Sequence, residues 1–301
     1  MNDNRTSSAM VMLISAMLML PAMDAIAKWL AGSVEAGQVT WSRFFFQVIF
    51  MSPLLLRTSG PWWNRNLLLH AARGTLIAMA TLFFFTGLAY LPMADAIAIF
   101  FIEPLLVTLL SAVFFREIIR WRRVSAICVG FIGALIVIRP SFAEVGFTAL
   151  YPVGTAICFA FYLLLTRKLV SNEDPIRMQF FAGIFGLIVM SAALAVGESQ
   201  NIAVLDPVWP EQHEWMLLCG LGLLATICHL LVVHAYQRAP ISLLAPFHYV
   251  EIIGATLLGW LIFKEFPDFI TWIGICIIVG SGIYVFHRES RLARSGEINE
   301  T

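Results

Sequence analysis

The sequence predicts an all-α integral membrane protein, with ten transmembrane helices built as two inverted five-helix repeats. Three observations carry this expectation. Of 301 residues, 60% are hydrophobic and only 13% charged, with a mean hydropathy of +0.84. A soluble domain carries about 25% charged residues, and a water-soluble core cannot hide so much apolar surface. Apolar segments of roughly the 20 residues needed to cross a bilayer follow one another along the whole chain. One such segment occurs twice: residues 102–117 read IEPLLVTLLSAVFFRE and residues 250–265 read VEIIGATLLGWLIFKE. Glu103 falls on Glu251, Thr108-Leu109-Leu110 on Thr256-Leu257-Leu258, and Phe115-Arg116-Glu117 on Phe263-Lys264-Glu265.

Span one covers 9–29. It follows Arg5 as a secretory signal would, but it runs on into Asp24 and Lys28 without a small-residue cleavage site, so it reads as a retained helix. Spans two to five cover 39–56, 73–91, 95–115 and 124–139; spans six to ten cover 147–166, 179–196, 215–235, 243–263 and 270–287. Pro21, Pro53, Pro104, Pro152 and Pro246 lie in spans one, two, four, six and nine, where they bend a helix that lipid nevertheless tolerates. Small residues four apart, such as Gly130/Ala134 and Ala182/Gly186, mark helix contacts. Trp29, Trp41, Trp62, Trp63, Trp121, Trp209, Trp215 and Trp272 fall near span ends and read as an interfacial belt. Links are brief, the longest being 57–72 and 197–214, and the charged stretch after Tyr284 is expected to fray. The first half is 1–143, the second 144–288, and 289–301 is a cytoplasmic tail.

Basic residues orient the bundle. With the N-terminus in the cytoplasm, 15 of the 19 Lys and Arg residues fall inside, among them Arg57, Arg65, Arg73, Arg116, Arg120, Arg122, Arg123, Arg167, Lys168 and Arg177. Only Arg139 and Lys264 fall in outer loops. The 197–214 link holds Glu198, Asp206, Glu211 and Glu214 and no basic residue, as an outer loop should. Both termini are therefore expected in the cytoplasm. Five spans per half force the two copies into opposite orientations, so Glu117 ends span four inside while Glu265 ends span nine outside. Ala27-Lys28-Trp29-Leu30 also aligns with Arg167-Lys168-Leu169-Val170, in spans one and six. Inverted repeats place a solute site near the midplane, between the halves.

Charged residues inside spans are costly and mark function by default. Glu103 lies 14 residues before Glu117, about 21 Å along a helix, which puts it deep in the membrane. Glu251 lies equally deep from the other face. Both read as proton- or solute-binding carboxylates, or else as structural hydrogen-bond partners. His248 and Glu251, three apart, share a helix face, with Phe247 and Tyr249 beside them. That suggests a titrating pair with an aromatic wall; the alternative is a histidine bonded to a nearby carbonyl. Asp24 and Lys28 are spaced to pair along span one, as part of a gate or binding site, or as a structural ion pair, or with Lys28 snorkelling at the outer edge. Arg43 suits an anionic group, or it partners Asp24 or Glu35. His229 and His234, five apart, point to opposite sides of span eight and read as packing histidines. Phe83–Phe85, Phe100-Phe101 and Phe44–Phe46 mostly serve lipid and helix packing.

Several function classes are excluded or unsupported. Cys128, Cys158, Cys219, Cys228 and Cys276 lie in apolar runs without a CxxC pair, and read as small packing residues. No phosphate-binding GxxxxGK[ST] loop is present, so this chain alone does not carry ATP-driven transport. No cofactor, metal cluster, catalytic nucleophile or nucleic-acid surface is expected; the partners are a small solute and the bilayer.

The five-plus-five order, the paired acidic span ends Glu117 and Glu265, and the Gly-rich fifth and tenth spans (Gly130, Gly133; Gly274, Gly280, Gly282) resemble the drug/metabolite transporter superfamily, EamA type, over nearly the whole chain. The resemblance implies a secondary transporter for a small metabolite, not an enzyme, working by alternating access in a bacterial inner membrane. Asp24-Ala-Ile-Ala-Lys28-Trp29 and Val39-Thr-Trp-Ser-Arg43-Phe-Phe-Phe46 look like the branch that includes riboflavin and S-adenosylmethionine importers. Two departures stand out: the span-nine proline is shifted to Pro246, and Glu103-Pro104 adds a buried acid that many members lack. Riboflavin is the first expectation for the solute, with S-adenosylmethionine or an amino-acid-like metabolite as alternatives. A lipid-modifying enzyme would need clustered catalytic polar groups near one membrane face, and none is found; a receptor or small-channel scaffold would not need two opposed halves with matched acids.

Overall fold

The computed structural model describes residues 3–56, 58, 66–115, 121–169, 173–239 and 244–294. Its helices are α1 (Asp3–Leu30), α2 (Ala36–Leu55), α3 (Leu67–Leu88), α4 (Met93–Phe100), α5 (Glu103–Phe115), α6 (Trp121–Val145), α7 (Tyr151–Leu169), α8 (Pro175–Gln200), α9 (Gln212–Arg238), α10 (Val250–Leu258) and α11 (Phe269–Arg294). No strand occurs among the described residues. By length and composition, Arg5–Leu30, Leu67–Leu88, Ser141–Thr166, Pro175–Gln200 and Gln212–Arg238 are each long and apolar enough to cross a membrane. Val124–Arg139, Phe247–Phe263 and Phe269–Tyr284 are shorter apolar helices. Glu117, Arg57, Arg65, Arg116, Arg120, Trp62 and Trp63 lie outside the described residues.

Predicted spans four and nine are broken rods. Proline has no N–H to donate and its ring clashes with the carbonyl four residues back. For Pro104 that residue is Phe100, which is where α4 ends. The chain turns through Phe101-Ile102, and α5 restarts at Glu103. Span nine opens as a tight 3-10 turn, Ala245–Tyr249, with Pro246 near its start; α10 begins at Val250, and a wider π turn, Gly259–Phe263, ends the segment. Each matched acid thus stands in the first turn of a restarted helix.

Packing joins early helices to late ones. α1 packs on α9 and α10, α2 on α8 and α9, α3 on α7 and α8, α5 on α7, and α6 on α11. Counting α4 and α5 as one span, the pattern maps onto itself when spans one to five are exchanged with six to ten. α4 lies at the centre, with Met93, Ala96, Ile97, Ala98 and Ile99 inaccessible to solvent. At the α6–α11 crossing the backbones meet: a Cβ on Gly133 would lie 3.1 Å from the Gly274 carbonyl, and one on Gly274 2.9 Å from that of Gly133. Such close approach is the usual device for packing helices in lipid.

Two sequence expectations change. α11 runs to Arg294 rather than fraying after Tyr284; Arg, Leu and Ala in its last turns are strong helix formers. Arg73 is no loop residue. It lies within α3, almost wholly buried, and donates to Thr166 Oγ1 (2.9 Å), the Met178 carbonyl (3.2 Å) and Tyr162 Oη (3.2 Å). Beside it His70 Nε2 lies 2.7 Å from a carboxylate oxygen of Glu173.

Candidate functional site

Buried polar side chains from both halves converge on two neighbouring clusters. The first is built on Arg43 of α2. It is 3% exposed. Its Nη1 donates to Thr81 Oγ1 of α3 at 3.3 Å, and its Nη2 lies 3.5 Å from His229 Nε2 of α9. The Phe44 ring packs 4.6 Å from the guanidinium, and Nε has no partner. His229 Nδ1 sits 2.8 Å from the Ala225 carbonyl. That contact sets the tautomer, with the proton on Nδ1 and the lone pair of Nε2 towards Arg43.

Asp24 of α1 (2% exposed) and Glu251 of α10 (9%) complete this cluster. Asp24 lies within electrostatic reach of both Arg43 and Glu251. Among the described residues neither carboxylate has an ion pair within 4.0 Å. Helix contact explains their meeting: Pro21, one turn before Asp24, packs against Gly254, one turn after Glu251, where an added Cβ would come within 2.9 Å of the proline ring.

The second cluster surrounds Glu103 at the start of α5. Its carboxylate acts on the phenols of Tyr236 and Tyr249. Tyr236 Oη and His248 Nε2 lie 2.5 Å apart, and the rings of Phe101 and Tyr249 are 5.1 Å apart. Phe100 and Phe101 extend this aromatic wall, with ring centroids 5.9 Å apart.

Two predicted pairings are not the ones formed. Lys28 does not turn to Asp24. Its longer stem reaches towards the end of α1, where Nζ meets a Glu265 carboxylate oxygen at 2.8 Å, the Leu91 carbonyl at 2.5 Å and the Phe263 ring at 5.4 Å. Glu265 is held there by backbone geometry: Lys264 takes a left-handed conformation (φ 61) and the Glu265 N–H donates to the Gly259 carbonyl at 3.0 Å. His248 does not pair with Glu251 either. The Tyr236 hydroxyl is its partner, so the two residues divide between clusters. Reading the residues singly also dismissed His229. Its spacing from His234 says nothing of Arg43, because that contact depends on how α2 crosses α9. Thr81, Tyr236 and the Lys28 partner Glu265 were missed as site residues for the same reason.

The model of the EamA-like transporter family matches residues 7–139 and again 146–286. The chain is 28% identical over 279 residues to an S-adenosylmethionine uptake transporter of Rickettsia conorii, spanning 90% of this chain and 89% of that one. It is 30% identical over 227 residues to a riboflavin transporter of Vibrio cholerae, spanning 75% and 73% respectively. A solved crystal structure superposes with a TM-score of 0.61 at 21% identity, covering 95% of this chain and 99% of that one, which is a likeness of fold.

Proposed function

The chain belongs to the EamA-like transporter family, and from that premise we propose that it is a secondary transporter, not an enzyme, which takes up a heteroaromatic metabolite across the bacterial inner membrane. Riboflavin and S-adenosylmethionine, the solutes named for its relatives, both carry a planar ring system. The halves 1–143 and 144–288 are inverted units that rock about the buried clusters, and both termini face the cytoplasm. Asp24, Arg43 and Glu251 bind the solute from one side. Phe101 and Tyr249 offer it a stacking wall. Glu103, with Tyr236 and His248, carries the coupling proton. Lys28 and Glu265 join the halves at the outer end.

One observation carries this reading: three carboxylates and a guanidinium, drawn from both halves, are gathered within a bundle whose helices are otherwise apolar. A charged group at mid-membrane costs about 2.5–3.5 kcal/mol even on the most permissive scale. A scaffold gains nothing from several. Helices restarted beside such groups are the form in which transporters build midplane sites.

The test is uptake of a labelled metabolite panel, including riboflavin, S-adenosylmethionine and amino acids, in cells lacking their own importers. Accumulation of a panel solute above empty-vector cells is expected. No accumulation, with the chain present in the membrane, would overturn the transport reading.

A further inference from the structure

The register that sets Glu103 on Glu251 also sets Phe101 on Tyr249. Carried on without a gap, it sets Cys128 on Cys276 and Ala134 on Gly282. Phe101 and Tyr249 are therefore counterpart residues of the two repeats. Their rings meet each other, with centroids 5.1 Å apart and planes tilted by 52°. Residues related by an approximate two-fold axis touch one another only beside that axis. The breaks in spans four and nine thus come together at the centre of the repeat arrangement, through this one aromatic pair.

The two counterparts differ at their tips. Tyr249 carries a hydroxyl that Phe101 lacks, and Gly282 lacks the methyl that Ala134 carries. On the Tyr249 side the two differences fit each other. A Cβ on Gly282 would coincide with Tyr249 Oη and stand 2.8 Å from Cζ. Close-packed interiors hold no such overlap, and a phenol ring is rigid, so the whole ring would have to turn away. Gly280, two residues earlier in α11, would meet no heavy atom within 4 Å. The demand for a bare backbone is therefore particular to Gly282. A glycine inside a helix costs about 1 kcal/mol relative to alanine, and the berth for the phenol gives that cost a purpose. Tyr249 is held at both ends, its ring against Phe101 and its tip against Gly282. It is also the member of the pair with accessible surface, since Phe101 is almost wholly buried.

We infer that Gly282 is a specificity-determining positioning residue of the solute site: by omitting one methyl group it seats the Tyr249 ring against Phe101 and so fixes the wall on which a planar solute stacks. This rests on the transport reading above, in which that wall binds the solute. Gly282 acts through Tyr249 and touches no solute itself. Displacing the ring removes stacking, which the bound solute and its transition state share, so the loss falls on KM and not on kcat.

The experiment is uptake kinetics at matched membrane expression, with labelled riboflavin or labelled S-adenosylmethionine, whichever the unaltered protein accumulates. Gly282→Ala should raise KM about 3- to 10-fold, the worth of one aromatic contact, with turnover unchanged. Gly282→Ala/Tyr249→Phe removes the overlapping atom and recreates the pairing of residue types at 101 and 134; it should recover most of the increase. Gly280→Ala, on the same helix, should leave both constants unchanged. Folded yield is followed by size-exclusion profiles of fluorescent fusions. If Gly282→Ala lowers that yield, the double variant should regain it, and its KM is then compared directly with that of the unaltered protein. A double variant no better than Gly282→Ala, in KM or in yield, would overturn the assignment. So would a Gly282→Ala protein with reduced turnover at unchanged KM, which marks a merely structural glycine and leaves the transport reading standing. An unaltered protein that accumulates no solute of the wider panel would remove the transport reading itself, and this assignment with it.

Discussion

Lys28 and Glu265 stand 2.8 Å apart and tie the last turn of α1 to the segment just beyond α10. The pair joins the two family-matched segments of the chain, with the Leu91 carbonyl and the Phe263 ring completing the lysine's surroundings. Exposed ion pairs contribute about 0–1 kcal/mol. This one is partly shielded, and in the proposed role of a latch that opens in each cycle it would need to contribute no more. Lys28→Glu or Glu265→Lys is expected to slow initial uptake about 3- to 10-fold, which corresponds to roughly 1 kcal/mol. The double exchange Lys28→Glu/Glu265→Lys should recover most of it, as measured by initial rates at matched membrane expression. A double variant no better than the worse single would show that the pair does not act as a latch.

His70 and Glu173 sit 2.7 Å apart, and Asn66 also donates to this carboxylate at 2.9 Å. Removing the imidazole withdraws one partner from a buried acid. His70→Ala should cost about 1–3 kcal/mol, read as a lower apparent melting temperature in detergent. His70→Gln, which keeps a donor, should cost less. An unchanged melting temperature for His70→Ala would contradict the role assigned to the pair.

Glu103 faces Tyr236 and Tyr249, with His248 joined to Tyr236. Glutamine keeps the shape and the hydrogen-bonding capacity of this side chain but takes up no proton. Glu103→Gln is therefore expected to flatten the pH dependence of uptake while leaving solute selectivity unchanged. The measurement is initial uptake from pH 5 to 8, and a profile like that of the unaltered protein would assign proton coupling elsewhere.

Two glycines of α11 should respond oppositely to substitution. Gly274 meets the Gly133 backbone and the Val137 side chain, whereas a Cβ added at Gly280 would find no heavy atom within 4 Å. Gly274→Leu should cost about 1–3 kcal/mol through overpacking and lower the folded yield. Gly280→Ala should be neutral or slightly stabilising, because alanine favours a helix by about 1 kcal/mol over glycine. Size-exclusion profiles of fluorescent fusions distinguish these outcomes, and equal effects at both sites would refute the packing account.

Much of this was legible along the chain. Hydropathy located the spans, because in lipid only a closed helix satisfies its own backbone. The duplicated 102–117 and 250–265 segments marked Glu103 and Glu251 as counterparts, and burial alone made Asp24 and Arg43 worth naming. Pro104 even encoded the break at Phe101, since a proline's effect on the turn before it is local. The pairing of those residues was not legible. Spacing along one helix favoured Asp24 with Lys28 and His248 with Glu251, and both choices failed against partners from other helices.

The sequence by itself determined that the chain lives in lipid, how often it crosses, and which few side chains are too costly there to lack a purpose. Those are properties of each residue and its solvent. Tertiary structure alone decided that Lys28 meets Glu265, that His229 meets Arg43, and that Asp24, Glu251 and Arg43 gather around Cys228. Such partners lie some 20 to 240 residues apart in the chain, and the crossing of whole helices, not any local pattern, brings them together.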